Sequence, residues 1–373
     1  MTIADFPFAN ETDPEKETLV LASDIITKIV APSVYGVEIF AGLLGNALVM
    51  YMLLGFTKMK DSTHYYILNL AVADTLFMLG VPFISISSAM ERWVFGQAMC
   101  KIVMSMDAMN MFTTVFNLAV LSVDRYLAIV CSTSHPELRQ PKVAAAVSLS
   151  VWFTAILLSI PVMTASENVL TEHGHYVCIL NWPASEAMFR HKVFTSYTFV
   201  VGFLVPFGII ITSYLLVIRH LKSSTSEHAA VSRVSVRMRT KVTKTVTAMV
   251  ATFAVCRLPF HVCQLVLLAS EPRPTLGTLV MFHLAMVMSY ANSCVNPVLY
   301  VFTSQKFRDS FRAALRLSGR RARQEYGRRQ REGLAAAARN RQLGGNGFLQ
   351  EERCEVNITM LPYSTPERLE TTV

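Results

Sequence analysis

Leu121-Ser122-Val123-Asp124-Arg125-Tyr126 closes one long apolar run of this chain, and Asn296-Pro297-Val298-Leu299-Tyr300 closes another. Asp124 and Arg125 set charge directly beside a membrane-length apolar stretch, which is expensive, and Pro297 removes a backbone donor where no water replaces it. Working outward from these strings, apolar runs of about 20 residues or more, the length that spans hydrocarbon, lie near 31–56, 66–90, 97–130, 142–163, 193–220, 239–268 and 276–302. The third and the fifth to seventh carry embedded polar residues, as helices lining a cavity do. The expected fold class is an all-α membrane protein, a seven-transmembrane helix bundle with a short amphipathic eighth helix.

Composition agrees: of 373 residues, 52% are hydrophobic and 16% charged, too apolar for an ordinary soluble domain. Lys and Arg set the expected orientation. Lys58 and Lys60 follow the first run, Arg139 and Lys142 the third, and Arg219, Lys222, Arg233, Arg237, Arg239, Lys241 and Lys244 the fifth. The stretch from Lys306 to Arg341 is more basic still, whereas Asp5, Glu11, Asp13, Glu15, Glu17 and Asp24 precede the first run and Glu167, Glu172 and Glu186 lie between the fourth and fifth. This places the N-terminus outside and the C-terminus in the cytosol, and reads the net charge of +8 as inner-leaflet bias, not nucleic-acid binding. The expected organisation is an extracellular segment 1–30, the bundle 31–303, an amphipathic helix 304–317 on the inner leaflet, and a disordered cytoplasmic tail 318–373.

Met1–Asn10 lacks the basic start and apolar core of a cleavable signal, so the first run is expected to act as signal anchor. Asn10-Glu11-Thr12 is a glycosylation sequon on the expected outer side; Asn357-Ile358-Thr359 has the same pattern in the tail. Seven cysteines cannot all pair. Cys256, Cys263 and Cys294 lie inside apolar runs, while Cys100 and Cys178 fall at the outer face and are expected to bridge the top of the third helix to the second outer loop. Phe307, Phe311 and Leu315 recur four apart among Lys306, Arg308, Arg312 and Arg316, which gives one apolar and one basic face. The terminal Thr371-Thr372-Val373 fits a PDZ ligand. Asp107 lies seven residues past Cys100, about two turns into the third run. An intramembrane carboxylate is functional by default, the plainer reading being a structural partner for another helix.

The chain resembles the rhodopsin-like G-protein-coupled receptors on Asp124-Arg125-Tyr126 and Asn296-Pro297-Val298-Leu299-Tyr300. Within them, Met106-Asp107-Ala108-Met109-Asn110-Met111-Phe112-Thr113 is similar to the somatostatin receptor family, with allatostatin-C receptors as invertebrate relatives. Cys178-Ile179-Leu180-Asn181-Trp182-Pro183, Gly202-Phe203-Leu204-Val205-Pro206, Lys241-Val242-Thr243-Lys244 and Tyr290-Ala291-Asn292-Ser293-Cys294-Val295-Asn296-Pro297 agree. The resemblance covers about 35–315, and opioid and galanin receptors share much of this framework. It implies a cyclic peptide ligand whose cation meets Asp107, with Phe260, His261, Gln264 and Phe282 lining the pocket and Trp182 in its lid. It implies that Asp124 holds Arg125 until activation frees it for a G-protein partner; the plainer reading is an interfacial Arg snorkelling to headgroups. Tyr126, Tyr214 and Tyr300 complete the switch, and Pro206, Pro259 and Pro297 loosen three helices so that they pivot. The implied partners are a heterotrimeric G protein of the inhibitory Gi/o class, arrestin, PDZ-domain proteins and membrane lipid. The implied allosteric ion is sodium, held by Asp74, Asn110, Thr114, Asn292, Ser293 and Asn296.

Two residues depart from the pattern. Cys256-Arg257-Leu258-Pro259 stands where the family has Cys-Trp-x-Pro, and Ser132 where relatives carry Pro. An Arg at that depth costs about 2.5–3.5 kcal/mol on insertion scales and does not shed its charge. The preferred expectation is that Arg257 reaches toward Asp74 and weakens or replaces sodium. The alternatives are a pair with Asp107 that masks the ligand anchor, or a constitutively active or ligand-impaired receptor. A retinal photoreceptor needs a Lys in 276–302, which has none, and a transporter predicts repeated halves, which are not visible. Nor does any metal cluster, nucleophile motif or phosphate loop suggest an enzyme.

Overall fold

The structure of the protein, a computed structural model, describes residues 14–56, 62–131, 136–172, 174–183, 185–227, 233–270 and 275–303. Asn10, Ser132, the segment 304–317, and Thr371 and Val373 lie outside the described residues, as does the side chain of Tyr300. The chain runs α1 (Pro14–Ile25), α2 (Ala31–Phe56), α3 (Ser62–Met90), α4 (Gly96–Ile129) and α5 (Pro141–Ala165). The strands β1 (Ser166–Leu170) and β2 (Tyr176–Leu180) follow, then α6 (Ala187–Phe199), α7 (Val205–Glu227), α8 (Arg233–Ser270) and α9 (Leu276–Thr303). Among the described residues, seven stretches are long and apolar enough to cross a membrane: Val20–Gly55, Ser62–Met90, Gly96–Ile129, Pro141–Ala165, Ala187–His220, Thr247–Ala269 and Leu276–Leu299. A helix is the form such a stretch takes in lipid, because it satisfies its own backbone groups.

The apolar runs divide their side chains between two environments. Val37, Phe40, Leu54, Leu149, Phe153 and Met281 point outward, as lipid-facing residues do, while Val49, Leu53, Leu70, Val115, Leu118, Ile210 and Phe253 form the principal buried cluster. α8 packs chiefly against α9, α2 against α3 and α9, and α4 against α3, α5 and α7. Small residues allow the closest approach: a Cβ at Gly45 would meet Pro297 at 3.0 Å, so α2 lies directly on the proline of α9.

Helical structure begins before residue 31, where the first apolar run was expected to start. Helix already covers Pro14–Ile25 and joins α2 through a π-helical turn, Ile26–Val30. The charges near this start are absorbed laterally, Lys28 Nζ lying 3.0 Å from Asp24 and 3.3 Å from Glu91. A second π turn, Val200–Leu204, joins α6 to α7. Both turns end two residues before a proline, Pro32 and Pro206. The proline ring crowds the carbonyl four residues back and offers it no N–H. The adjacent N–H groups then reach one residue further, Ala31 to the carbonyl of Ile26 and Val205 to that of Val200. Pro206 therefore widens its helix, while α8 and α9 remain helical through Pro259 and Pro297.

The loop between the fourth and fifth spans is a β-hairpin, an element that the apolar runs did not reveal. β1 and β2 pair antiparallel from Ser166 opposite Leu180 to Leu170 opposite Tyr176, and the turn uses Gly174 at a positive φ of 78°. Cys178 is bonded to Cys100 at the start of α4, as expected, and Gln97 accepts from the backbone N–H of Asn168 at 2.6 Å and donates to the carbonyl of Ser166 at 3.1 Å. Trp93 N–H adds a bond to the carbonyl of Tyr176 at 2.6 Å. The hairpin is thereby pinned to the α4 end of the bundle.

Candidate functional site

Three groups of polar residues occur along the bundle. At the end where α4 finishes, Asp124 is 5% exposed and Arg125 13%. Asp124 collects four donors: Arg125 Nη2, Ser62 Oγ, Thr63 Oγ1 at 3.0 Å and Arg139 Nε at 3.4 Å. Arg125 is thus held by its neighbour, and that neighbour by the first turn of α3 and by Arg139. Ser62 and Thr63 are absent from the sequence reading, and Arg139 enters it only as a loop charge, because nothing local ties them to Asp124. Tyr126 is half-buried, and Tyr214 bonds Thr247 across the α7–α8 gap with Arg125 nearby.

Above this end, a column of buried polar side chains runs through the bundle. Helical spacing puts Asp107, Asn110 and Thr114 on one face of α4, and Ser289, Asn292, Ser293 and Asn296 on one face of α9. Asp74 of α3 is fully buried and accepts from Ser293 Oγ at 2.7 Å and Asn296 Nδ2 at 3.0 Å. Thr114 donates to Asn110 Oδ1 at 3.2 Å. Asn110 Nδ2 and both amide atoms of Asn292 are buried with no partner among the described residues.

Arg257 enters this column from α8. It is 3% exposed and donates one bond, from Nη1 to Ser289 Oγ at 2.9 Å, while Nε and Nη2 have no partner among the described residues. Neither expected carboxylate comes within ion-pair distance, since among the described residues no acidic oxygen lies within 4.0 Å of Arg257. Both nevertheless act on it through space, Asp107 more strongly than Asp74. One neutral hydrogen bond does not offset the several kcal/mol that an isolated buried ion costs. The remainder falls to that field.

The residues implied for sodium supply oxygen donors of the kind that hold a hard cation. The charge does not fit. Both oxygens of Asp74 already accept hydrogen bonds, and the guanidinium of Arg257 supplies a fixed positive charge in the same column.

Toward the hairpin, Asp107 is half-buried and accepts no hydrogen bond from any described residue. His261 is buried among aromatic rings, with centroids 5.0 Å from Phe203, 5.9 Å from Phe199 and 5.7 Å from Phe260. Gln264 and Phe282 are half-buried, Phe282 lying edge-on to His283 at 6.2 Å. Trp182, just after β2, meets Phe194 at 5.8 Å and leaves its indole N–H without a partner among the described residues. A separate recess of about 460 Å³ opens between the hairpin and the α3–α4 connection, lined by Arg92, Trp93, Asn168, His175 and Tyr176; none of the expected ligand residues lines it.

Two buried residues of this region were not singled out from sequence. Glu38 of α2 is 8% exposed with Oε2 unpartnered among the described residues, and Tyr290 of α9 lies between Tyr35 and Phe77 within the field of Asp107, Glu38 and Arg257. Glu38 carried a signal, since it is a carboxylate in the middle of an apolar run.

Residues 45–300 match the model of the 7 transmembrane receptor (rhodopsin family). The chain is 38% identical to the somatostatin receptor type 2 of Sus scrofa over 316 residues, 84% of this chain and 82% of that one. It is 41% identical to the type 5 receptor of Bos taurus over 287 residues, 77% of this chain and 76% of that one. With the type 4 receptor of Rattus norvegicus the identity is 40% over 284 residues, 76% and 71% of the two chains.

Proposed function

The chain belongs to the rhodopsin family of seven-transmembrane receptors, on the branch that holds the somatostatin receptors, and from that premise we propose that it is a receptor for a cyclic, cationic neuropeptide of the somatostatin or allatostatin-C class. It is a multi-pass plasma-membrane protein and not an enzyme. In this reading the hairpin end faces outward and the Asp124 end faces the cytosol, where the receptor promotes nucleotide exchange on a Gi/o protein and lowers cAMP.

Asp107 carries the reading. It is an intramembrane carboxylate, half-open, with no hydrogen-bond donor of its own among the described residues, and such a group stays charged at low cost only if water or a cation meets it. A ligand Lys supplies that cation, and the half-buried Phe260, Gln264 and Phe282 supply apolar surface and a polar contact around it. Trp182, carried just beyond the pinned hairpin, closes over the peptide with an indole N–H left to donate. At the cytosolic end, Arg125 is held by Asp124 until α8 moves, and the tyrosines Tyr214 and Tyr300 then take up its new position beside the G protein.

The test is inhibition of stimulated cAMP accumulation in cells expressing the full chain, challenged separately with somatostatin-type and allatostatin-C-type cyclic peptides. The reading expects concentration-dependent inhibition by one class, abolished by pertussis toxin and strongly right-shifted by Asp107→Asn. A surface-expressed receptor silent to both classes, yet driven by an opioid- or galanin-type peptide, would transfer the site to that chemistry.

A further inference from the structure

Arg257 is the residue whose surroundings account for it least. It sits in the column within the field of Asp107 and Asp74, with one hydrogen bond to Ser289 and two buried donors unpartnered among the described residues. We propose that Arg257 is the resident cation of this column: its guanidinium, within the field of both Asp74 and Asp107, takes the electrostatic place of a sodium ion at Asp74, so that the receptor is insensitive to sodium.

Charge balance leads there. Among the described residues, the carboxylates that act on the Arg257 guanidinium are Asp107 and Asp74, two negative charges against one positive. Ser289, which anchors Arg257, and Ser293, which donates to Asp74, are four residues apart on α9, one turn and roughly 6 Å along the axis. A diffusible ion at Asp74 would share the carboxylate with the donors Ser293 and Asn296 and sit within the field of a like charge that it has no means of expelling. One negative charge is left over, shared between Asp74 and Asp107 because Arg257 acts on both. Of the two, Asp107 is the half-open one, and on the proposed function it is the one that a ligand cation reaches.

The same arrangement couples the two sites. In the free receptor Arg257 divides its attraction between Asp107 and Asp74. A ligand cation at Asp107 cancels the first and repels the guanidinium, so the balance swings toward Asp74 and the Ser293–Asn296 pair on α9. Ligand arrival is thereby read deeper in the bundle by a charge tethered to α8, the helix that carries Pro259.

The test needs no ligand and does not depend on which peptide the receptor takes, so it stands or falls apart from the proposed function. The probe is sodium chloride against choline chloride at equal ionic strength, and the readout is thermal unfolding of the purified full chain in detergent. The unmodified protein is expected to melt at the same temperature in both salts. Arg257→Gln and Arg257→Trp each empty the cation's place, and whichever folds is expected to gain about 2–4 °C in sodium, a gain that a second substitution, Asp74→Asn, removes. A sodium-dependent rise in the unmodified protein that vanishes in Asp74→Asn would overturn the proposal. So would a lack of sodium response in a folded Arg257 variant, because nothing would then have been displaced.

Discussion

Arg125 and Arg257 are both taken out of water by this bundle, and it treats them differently. Arg125 ends a helix, keeps 13% of its side chain exposed, and is bonded to Asp124, which is itself secured by Ser62, Thr63 and Arg139. Arg257 lies within a helix, keeps 3%, and has a single neutral partner among the described residues. The first is neutralised by contact and the second by field. A contact pair is local and redundant: remove one donor and others hold the carboxylate. A field is shared, so whatever changes the charge at Asp107 changes the environment of Arg257 without touching it. That difference suits the first arginine to a latch and the second to a sensor.

Substitutions that break this contrast separate by size. The largest effect belongs to Arg125→Ala, which is expected to reduce agonist-driven nucleotide exchange to background while peptide binding to intact cells persists; full signalling by that variant would remove Arg125 from the switch. Next is Asp107→Asn. Losing one partner of a desolvated charge pair costs about 2–5 kcal/mol, and each 1.4 kcal/mol is about tenfold, so peptide potency in the cAMP assay should fall by roughly 30- to 3,000-fold. Ser289→Ala strips Arg257 of its one hydrogen bond and is expected to cost about 1–3 kcal/mol of stability, read as a lower melting temperature. Thr63→Val removes one of four donors to Asp124 and should cost less than about 1 kcal/mol. If Thr63→Val proved more damaging than Ser289→Ala, redundancy would not be what distinguishes the two arginines.

Much of this was legible in the sequence, and the exceptions share a cause. Apolar runs marked all seven spans, because a membrane-crossing helix announces itself residue by residue. The helix before residue 31 did not show as an apolar run because Asp24 and Lys28 interrupt it; Lys28 pairs there with Asp24 and with Glu91, which is far away in sequence. The hairpin was missed because Ser166–Leu170 is too short and polar to show alternation, and what holds it, Cys100, Gln97 and Trp93, lies on other elements. The π turns left only a trace, in Pro32 and Pro206.

The site divides in the same way. Asp107, Asp74 and Asp124 stood out as carboxylates in apolar surroundings, and Arg257 as a cation among them. Their partners did not. Ser62, Thr63 and Ser289 are unremarkable hydroxyl residues whose roles come from packing across helices, and Glu38 was passed over although its own surroundings marked it.

The most direct measurement is a double-mutant cycle on thermal unfolding across Arg257 and Asp107, using Arg257→Gln, Asp107→Asn and the combination. If the two charges act on each other through the column, Asp107→Asn lowers the stability of the unmodified protein and loses that effect once Arg257 is neutral, with a coupling of about 1–2 kcal/mol, inside the range found for interacting residues. Additivity to within about 0.3–0.5 kcal/mol, as for independent sites, would contradict the account and leave Arg257 a buried charge with no hand in ligand sensing.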